Sequence, residues 1–183
     1  NKYQERLTSL RKEITERDLD GYILPRTDEY QSEFLAPYAE RLQWLSGFTG
    51  SAGLAVVLDD NAVVMSDSRY TIQLKRQVPE ELFKTADIID MPVGEWLTVH
   101  AKEGARIGYD VWLYTPVQLE EIEEKLAGRD ITLVPIEGNL IDALWGDQPS
   151  RPQAPVIVFP DEIAGRSAQE KRAMISAKVK EEG

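Results

Sequence analysis

The chain has 183 residues, of which 42% are hydrophobic and 29% are charged, a composition typical of a globular protein with a sizeable core. Its formal net charge of -11 argues against nucleic acid and anionic membrane surfaces as partners, because both are bound by basic protein surfaces. The absence of cysteine excludes disulfides, thiolate metal sites and a cysteine nucleophile, and it is compatible with the cytoplasmic location that we expect.

The first forty residues predict a helix, a buried strand and a polar loop. Residues 2–17 carry apolar side chains at helical spacing, which indicates an amphipathic helix docked on a core. The residues on this face are Tyr3, Leu7, Leu10 and Ile14. Gly21–Pro25 predicts a short buried strand that the proline ends. Residues 26–37 are polar and irregular, so they form either a functional loop or a simple connection over the edge of a sheet.

A glycine-containing stretch follows. Gly47, Gly50 and Gly53 recur at three-residue spacing between a helix-like run, residues 40–45, and an apolar run, residues 54–58. A phosphate-binding loop has the opposite order, because its glycines follow a strand and open a helix. The pattern therefore favours a structural role: Gly47 ends the helix, and Gly50 and Gly53 give the backbone room to enter a strand.

The apolar runs 54–58 and 62–65 flank three turn-forming residues, which predicts a β-hairpin buried on both faces. The second strand leads directly into a helix for which Asp67 or Ser68 is the N-cap. Arg69 then lies in the first turn, where the helix dipole disfavours a cation. The local sequence alone favours an ion pair between Arg69 and a nearby carboxylate such as that of Asp67.

The second half of the chain alternates strands and helices. In order, we predict a strand at 82–84, a helix at 90–101 with Pro92 in its first turn, a strand at 106–109, a helix opening at Thr115 with a capping box, and a strand at 131–134. The helix after Thr115 carries an apolar stripe of Leu119, Ile122 and Leu126, and Glu121 and Lys125 form an i,i+4 pair. This alternation indicates an α/β domain with a mixed sheet.

Residues 148–155 are rich in proline and predict an extended spacer. We therefore expect one domain over residues 1–150, then a linker with the truncated start of a second domain over residues 151–183. Within the second part, residues 156–159 predict a strand, and a capping box at Ser167 predicts a helix to about Lys180. The chain has neither an initiator methionine nor an apolar signal core, so we expect it to be a trimmed or processed fragment.

Seven ordered segments carry a family resemblance. They are RLTSLRKEI, LPRTDEYQSEFLAPYAERLQWLSGFTGSAG, SDSRY, EWL, IGYDVWLYT, LVPIEGNLIDALWGDQPSRP and AGRSAQEKRAMI. Together they resemble the N-terminal domain of the creatinase/prolidase superfamily, most closely that of the three-domain Xaa-Pro aminopeptidases. The family commonly has glycine in place of Ser68, and often a histidine where this chain has Tyr30. The resemblance implies a mixed β-sheet with a ribonuclease H-like motif, flanked by helices on both faces.

The resemblance also implies a function for a longer parent enzyme. Such enzymes remove the first residue from peptides whose second residue is proline, using two divalent metal ions, manganese or zinc, held in a C-terminal domain. We expect no catalytic and no metal-binding residue in this chain, because His100 is its only histidine and the nucleophile-elbow pattern is missing. The domain would shape the active-site cleft and the interface of a homodimer, and Arg69 would help to position the proline-containing peptide.

Two alternatives remain open on sequence alone. One is a binding module without catalysis, related to the N-terminal region of the large subunit of the FACT histone chaperone. The other is a two-domain creatinase or dipeptidase, against which the second-domain start at residues 151–183 argues. An intact set of metal ligands downstream would indicate an enzyme, and their loss a binding protein.

Overall fold

A six-stranded sheet organises the larger part of the chain, in a computed structural model that describes all 183 residues. The strands are β1 (Gly21–Pro25), β2 (Leu54–Leu58), β3 (Ala62–Ser66), β4 (Lys84–Asp87), β5 (Arg106–Asp110) and β6 (Thr132–Ile136). Their order in the sheet is β4-β3-β2-β1-β5-β6. The chain divides into two units, Asn1–Arg151, which contains this sheet, and Pro152–Gly183.

The sheet is mixed because β2 alone runs against its neighbours. β2 pairs antiparallel with both β1 and β3, while β1 with β5, β3 with β4 and β5 with β6 are parallel pairs. An antiparallel meander extended by parallel strands is the arrangement expected of a ribonuclease H-like motif. The carboxyl ends of five strands and the amino end of β2 therefore lie along one edge of the sheet, which we call the carboxyl edge.

Helices cover both faces of the sheet, as predicted. They are α1 (Lys2–Glu16), α2 (Arg41–Ser46), α3 (Thr71–Gln77), α4 (Val93–His100), α5 (Pro116–Leu126) and α6 (Leu140–Leu144). One apolar cluster joins α1, α2, α3 and α6 to alternate strand residues such as Tyr22 and Leu24, and the other joins α4 and α5 to residues such as Ile23 and Val56. Because successive side chains along a strand point to opposite faces of the sheet, both faces contribute to the core. Each fully buried large side chain stabilises the fold by about 1.5–3 kcal/mol.

Most of the predicted elements form, with three corrections in the second half of the first unit. The strand predicted at 82–84 begins instead at Lys84, because Leu82 and Phe83 donate their N–H groups to Pro79 in a turn. The helix predicted at 90–101 spans Val93–His100, with Pro92 at its N-cap.

The third correction concerns the helix α5. Lys125 does not pair with Glu121 as predicted. Its Nζ lies 3.1 Å from Oε1 of Glu95 on α4, against which α5 packs. The capping box of α5 is confirmed, since the Thr115 side chain accepts from Gln118 N and the Gln118 side chain accepts from Thr115 N.

The unit Pro152–Gly183 contains two helices, α7 (Asp161–Ala164) and α8 (Ala168–Glu182). The predicted capping box between Ser167 and Glu170 is present. The predicted strand at residues 156–159 is wrong, because these exposed residues pair with no other strand. No helix in either unit has the length and apolarity that crossing a bilayer requires.

Candidate functional site

Three segments singled out by the sequence meet at the carboxyl edge. The loop 26–37 follows β1, the glycine-containing loop 47–53 precedes β2, and the turn 67–70 follows β3. They meet because β2 runs opposite to β1 and β3, so its start lies beside their ends. We call this the corner site; its residues are Arg26, Glu33, Ser51, Asp67, Arg69 and Tyr70. Ligands of open α/β sheets commonly bind outside the carboxyl ends of strands.

A bidentate ion pair with Asp67 holds Arg69 at the corner site. Its Nε lies 2.9 Å from Oδ1 of Asp67 and its Nη2 lies 2.8 Å from Oδ2. Asp67 Oδ1 also accepts from the Arg69 N–H at 3.0 Å, which caps the short 3-10 turn Ser68–Tyr70. The Arg69 side chain is 61% exposed. The ion pair that the local sequence favoured is therefore present, and it fixes the guanidinium while leaving much of it open to solvent.

The ion pair also shifts the pKa values of Asp67 and Arg69. Hydrogen bonds from Arg69 hold the pKa of Asp67 below its ordinary value, and Asp67 in turn raises the pKa of Arg69. The guanidinium lies 5.3 Å from the centroid of the Tyr70 ring, close enough for a cation–π contact. Asp67 and Arg69 are thus both charged at neutral pH.

Tyr70 connects this turn to the other two segments. Its hydroxyl lies 2.7 Å from Ser51 Oγ, and Ser51 Oγ donates to Glu33 Oε1 at 3.0 Å. Because a serine hydroxyl has one proton, the Tyr70 hydroxyl donates to Ser51 in this arrangement. The contact with Ser51 lowers the pKa of Tyr70. The chain of hydrogen bonds joins one residue from each of the three segments.

Arg26 organises the interior of the corner site, and the sequence analysis missed its role. Its side chain is only 6% exposed, and Nη1 donates to the carbonyl oxygens of Glu33 and Ser51 at 2.8 and 3.1 Å. Its Nη2 pairs with Glu40 Oε1 at 2.8 Å. Burial raises the pKa of Glu40, and the charge of Arg26 opposes that shift. The sequence feature that could have indicated this role is the position of Arg26, a charged residue directly after a buried strand.

The glycines serve the backbone, as predicted. Gly47 ends α2 in the left-handed conformation with φ 84°. A Cβ at Gly50 would lie 2.3 Å from Cζ of Phe48 and 2.8 Å from Cδ1 of Tyr70. Phe48 is fully buried and packs edge-to-face on Tyr70, with ring centroids 5.7 Å apart. Gly50 therefore lets the loop close onto the core directly beneath the corner site.

The loop 26–37 presents two aromatic side chains to solvent. Asp28 is buried and its Oδ1 accepts from the N–H groups of Tyr30 and Ser32 at 3.0 and 2.9 Å, which fixes the turn of the loop. Tyr30 and Phe34 are exposed. Exposed aromatic rings of this kind can stack against the apolar groups of a peptide.

His100 lies on α4, outside the three segments that form the corner site. Its Nδ1 is 2.9 Å from the carbonyl oxygen of Trp96, and its ring stacks on that indole with centroids 4.3 Å apart. No group of three or more His, Cys, Asp or Glu side chains in the chain is arranged to hold a metal ion. The residues of this chain therefore do not fit a dinuclear metal centre.

Comparison with known proteins identifies the family. Residues 6–144, which include the sheet and the whole corner site, match the Creatinase/Prolidase N-terminal domain. The chain belongs to this family. The creatinase/prolidase fold predicted from the seven segments is thereby confirmed, as is the mixed sheet with helices on both faces.

Relatives within the family are named as Xaa-Pro aminopeptidases. The chain is 40% identical over 171 residues to a probable Xaa-Pro aminopeptidase P of Aspergillus niger, covering 91% of this chain and 28% of the relative. It is 36% identical over 173 residues to Xaa-Pro aminopeptidase 2 of Rattus norvegicus, covering 93% of this chain and 25% of the relative. The chain thus spans about a quarter of the length of these curated relatives.

One solved structure matches the chain over its whole length. The X-prolyl aminopeptidase of Caenorhabditis elegans, described as a cytosolic enzyme with a di-nuclear active site, superposes with a TM-score of 0.86 at 30% identity. The match covers 100% of this chain and 32% of that protein. This creatinase/prolidase domain is accordingly one part of much longer chains in its relatives.

Proposed function

We propose that this chain is the non-catalytic N-terminal domain of a dinuclear-metal Xaa-Pro aminopeptidase, an enzyme that removes the N-terminal residue from peptides with proline second. The observation that carries the proposal is the coverage of the relatives. Proteins named as Xaa-Pro aminopeptidases align to more than nine-tenths of this chain, whereas the chain spans only 25–28% of their length. The hydrolytic centre would then lie in the remainder of the parent protein.

In this proposal the two metal ions, manganese or zinc, are held by the C-terminal domain of the parent. The single histidine and the absence of cysteine in this chain support that assignment, because such centres need several converging ligands. Residues 151–183 are the linker and the start of the middle domain. We further propose a homodimeric, cytoplasmic parent, and the description of the C. elegans relative as cytosolic supports the location.

The role proposed for the domain is to form one wall of the active-site cleft, with Arg69 positioning the peptide substrate. Asp67 takes one N–H from Nε and one from Nη2, which leaves the N–H groups of Nη1 free. A guanidinium held by a carboxylate on one side can donate to peptide carbonyls on the other. Because its geometry is fixed by the turn and the Tyr70–Ser51 contact, little conformational freedom is lost when a peptide binds.

The proposal is tested by comparing two proteins, the 183-residue chain and the complete parent protein that contains it. With Mn²⁺ or Zn²⁺ supplied, the parent should release the first residue from an Xaa-Pro peptide but not from the matched Xaa-Ala peptide, and a chelator should abolish the release. The 183-residue chain should show no hydrolysis and no stoichiometric metal binding by calorimetry. A parent that binds proline-containing peptides but hydrolyses none under any metal would instead be a binding module, and the proposal would be wrong.

A further inference from the structure

The loop after β1 carries an exposed carboxylate, that of Glu33, which the corner site leaves without a cation. Arg26 pairs with Glu40 at 2.8 Å between Nη2 and Oε1. Arg69 pairs with Asp67 at 2.8 Å between Nη2 and Oδ2. Glu33 forms no ion pair in the chain. Two guanidinium groups and three carboxylates therefore leave a net negative charge at this place, and Glu33 carries it.

Glu33 is held at both its backbone and its side chain. The buried guanidinium of Arg26 donates from Nη1 to the Glu33 carbonyl oxygen at 2.8 Å. Oε1 of Glu33 accepts from Ser51 Oγ at 3.0 Å, and Ser51 in turn contacts the Tyr70 hydroxyl. The second carboxylate oxygen, Oε2, makes no hydrogen bond within the chain. Because the group is already ordered, it loses little conformational freedom when it binds a ligand.

The electrostatic surroundings of Glu33 favour a cation. Asp67 is the main cause of the raised pKa of Arg69, and the charge of Glu33 adds to that shift, so Glu33 and Arg69 are within electrostatic range of each other. Since Asp67 already neutralises this guanidinium, Arg69 does not compensate Glu33. The whole chain has a formal charge of -11, and a field of that sign raises the local concentration of cationic groups.

The residue after Glu33 offers an apolar surface. Phe34 is 84% exposed. Lysine and arginine side chains join a cationic end to an apolar stem, and the stem can pack on an aromatic ring while the charge meets a carboxylate. A divalent metal ion requires several converging oxygen ligands, and no such group is present in the chain. A basic side chain therefore fits this place better than a metal ion does.

We propose that Glu33 is a specificity-determining residue that binds a lysine or arginine side chain of the peptide substrate. The inference rests on the proposed function, because it takes the corner site to border the cleft of a parent aminopeptidase. The basic residue lies after the proline of the substrate, since the first residue and the proline must reach a metal centre that this chain does not contain. One exposed charge pair changes affinity by up to about fivefold, which sets the size of the expected preference.

The first test uses the complete parent protein and amidated pentapeptides based on Ala-Pro-Ala-Ala-Ala. Lysine, glutamine or glutamate replaces the third, fourth or fifth residue in turn. At one position or more, kcat/KM should be about fivefold higher for the lysine peptide than for the glutamate peptide at low salt, equivalent to about 1 kcal/mol. Glutamine should give an intermediate value. The preference should fall below about twofold in about 0.5 M NaCl, because salt screens exposed charges.

Two variants of the parent separate a local contact from an effect of net charge. Glu33→Gln should reduce the preference for lysine over glutamate to less than about twofold. The control Glu123→Gln removes the same charge from an exposed, unpaired glutamate on α5, outside the corner site, and should keep the full preference. Equal cleavage of lysine and glutamate peptides at all three positions, or the same loss of preference in both variants, would overturn the inference.

A binding measurement on the 183-residue chain distinguishes failure of this inference from failure of the proposed function. N-acetylated Ala-Lys-Ala amide, which has no free amino terminus, should shift the amide NMR signals of Glu33, Phe34 and Ser51 with a dissociation constant on the order of 1–10 mM. The glutamate analogue should not shift them, and Glu33→Gln should lose the response to the lysine peptide. If the parent hydrolyses no Xaa-Pro peptide, the proposed function is wrong and this titration alone decides whether Glu33 binds basic side chains. Equal shifts with both peptides, or none with either, would refute the inference.

Discussion

Substituting Gly50 by alanine perturbs the link between the glycine-containing loop and the corner site. The added Cβ would lie 2.3 Å from Phe48 Cζ and 2.8 Å from Tyr70 Cδ1, far inside ordinary van der Waals contact. Phe48 has no exposed surface, so its ring cannot swing into solvent to relieve the overlap. Tyr70 can move only by stretching its contact with Ser51. The strain must therefore be distributed through the core.

Overpacking a well-packed core destabilises a protein by about 1–3 kcal/mol. Because the overlap falls on a rigid, fully buried ring, we expect Gly50→Ala to lower the free energy of unfolding by about 2 kcal/mol. For a domain of this size each kcal/mol lowers the melting temperature by about 2–4 °C. The melting temperature should therefore fall by about 4–8 °C.

The assay is thermal and urea unfolding of the 183-residue chain, with Gly146→Ala as the matched control. A Cβ at Gly146 meets nothing within 4 Å, so that change should stay within about 0.5 kcal/mol. The double variant Phe48→Leu with Gly50→Ala should lose at least about 1 kcal/mol less than the sum of its parts, since leucine lacks the clashing ring. If Gly50→Ala is as mild as Gly146→Ala, the explanation of the glycine pattern is wrong.

Three further predictions concern charge and the chain end. Asp142→Ala leaves the buried Arg41 without its counter-ion and should lower the free energy of unfolding by about 2–3 kcal/mol, measured in urea. The control Glu95→Ala removes one partner of an exposed ion pair and should cost less than about 1 kcal/mol. Equal losses in the two variants would contradict the assignment of a buried ion pair. The folded-state pKa of Asp67 is depressed, so its ion pair stabilises the fold above the ordinary carboxyl range and is lost as pH falls below about 4. The urea midpoint of the unaltered chain should accordingly exceed that of Asp67→Asn at pH 6 and converge with it near pH 2, and a gap that widens in acid would refute the assignment. Truncation after Arg151 should change the stability of the first unit by less than about 1 kcal/mol, and a larger drop in the denaturant midpoint would mean that the removed residues belong to its core.

Features encoded by neighbouring residues could be predicted, and features encoded by distant pairs could not. The hairpin, the capping boxes and the pair between Asp67 and Arg69 depend on residues at most a few positions apart, so the sequence displays them directly. Arg41 and Asp142 are 101 positions apart, and nothing in either local pattern predicts that a helix buries an arginine against that partner.

The sequence analysis did not predict the helix α6. It has only five residues, too few for a periodic apolar stripe to be recognised. Asn139 caps it, since the Asn139 side chain accepts from the Ile141 N–H at 3.0 Å, but a lone asparagine does not by itself predict a helix. The strand predicted at residues 156–159 failed for the opposite reason: an apolar run predicts a strand, but a strand also requires a pairing partner, which no sequence window contains.

The central claim, that the corner site positions substrate for a parent aminopeptidase, is tested most directly by steady-state kinetics of Arg69→Ala in the complete parent enzyme. Arg129→Ala is the matched control, because Arg129 has a similar ion pair, with Glu103 at 3.3 Å, and precedes β6 at the opposite edge of the sheet. The account predicts that Arg69→Ala lowers kcat/KM on an Xaa-Pro peptide by about tenfold or more, or about 1.4 kcal/mol of transition-state binding, with unchanged metal content and melting temperature. Arg129→Ala should leave kcat/KM unaltered. A folded, metal-loaded Arg69→Ala enzyme with normal kcat/KM would contradict the claim.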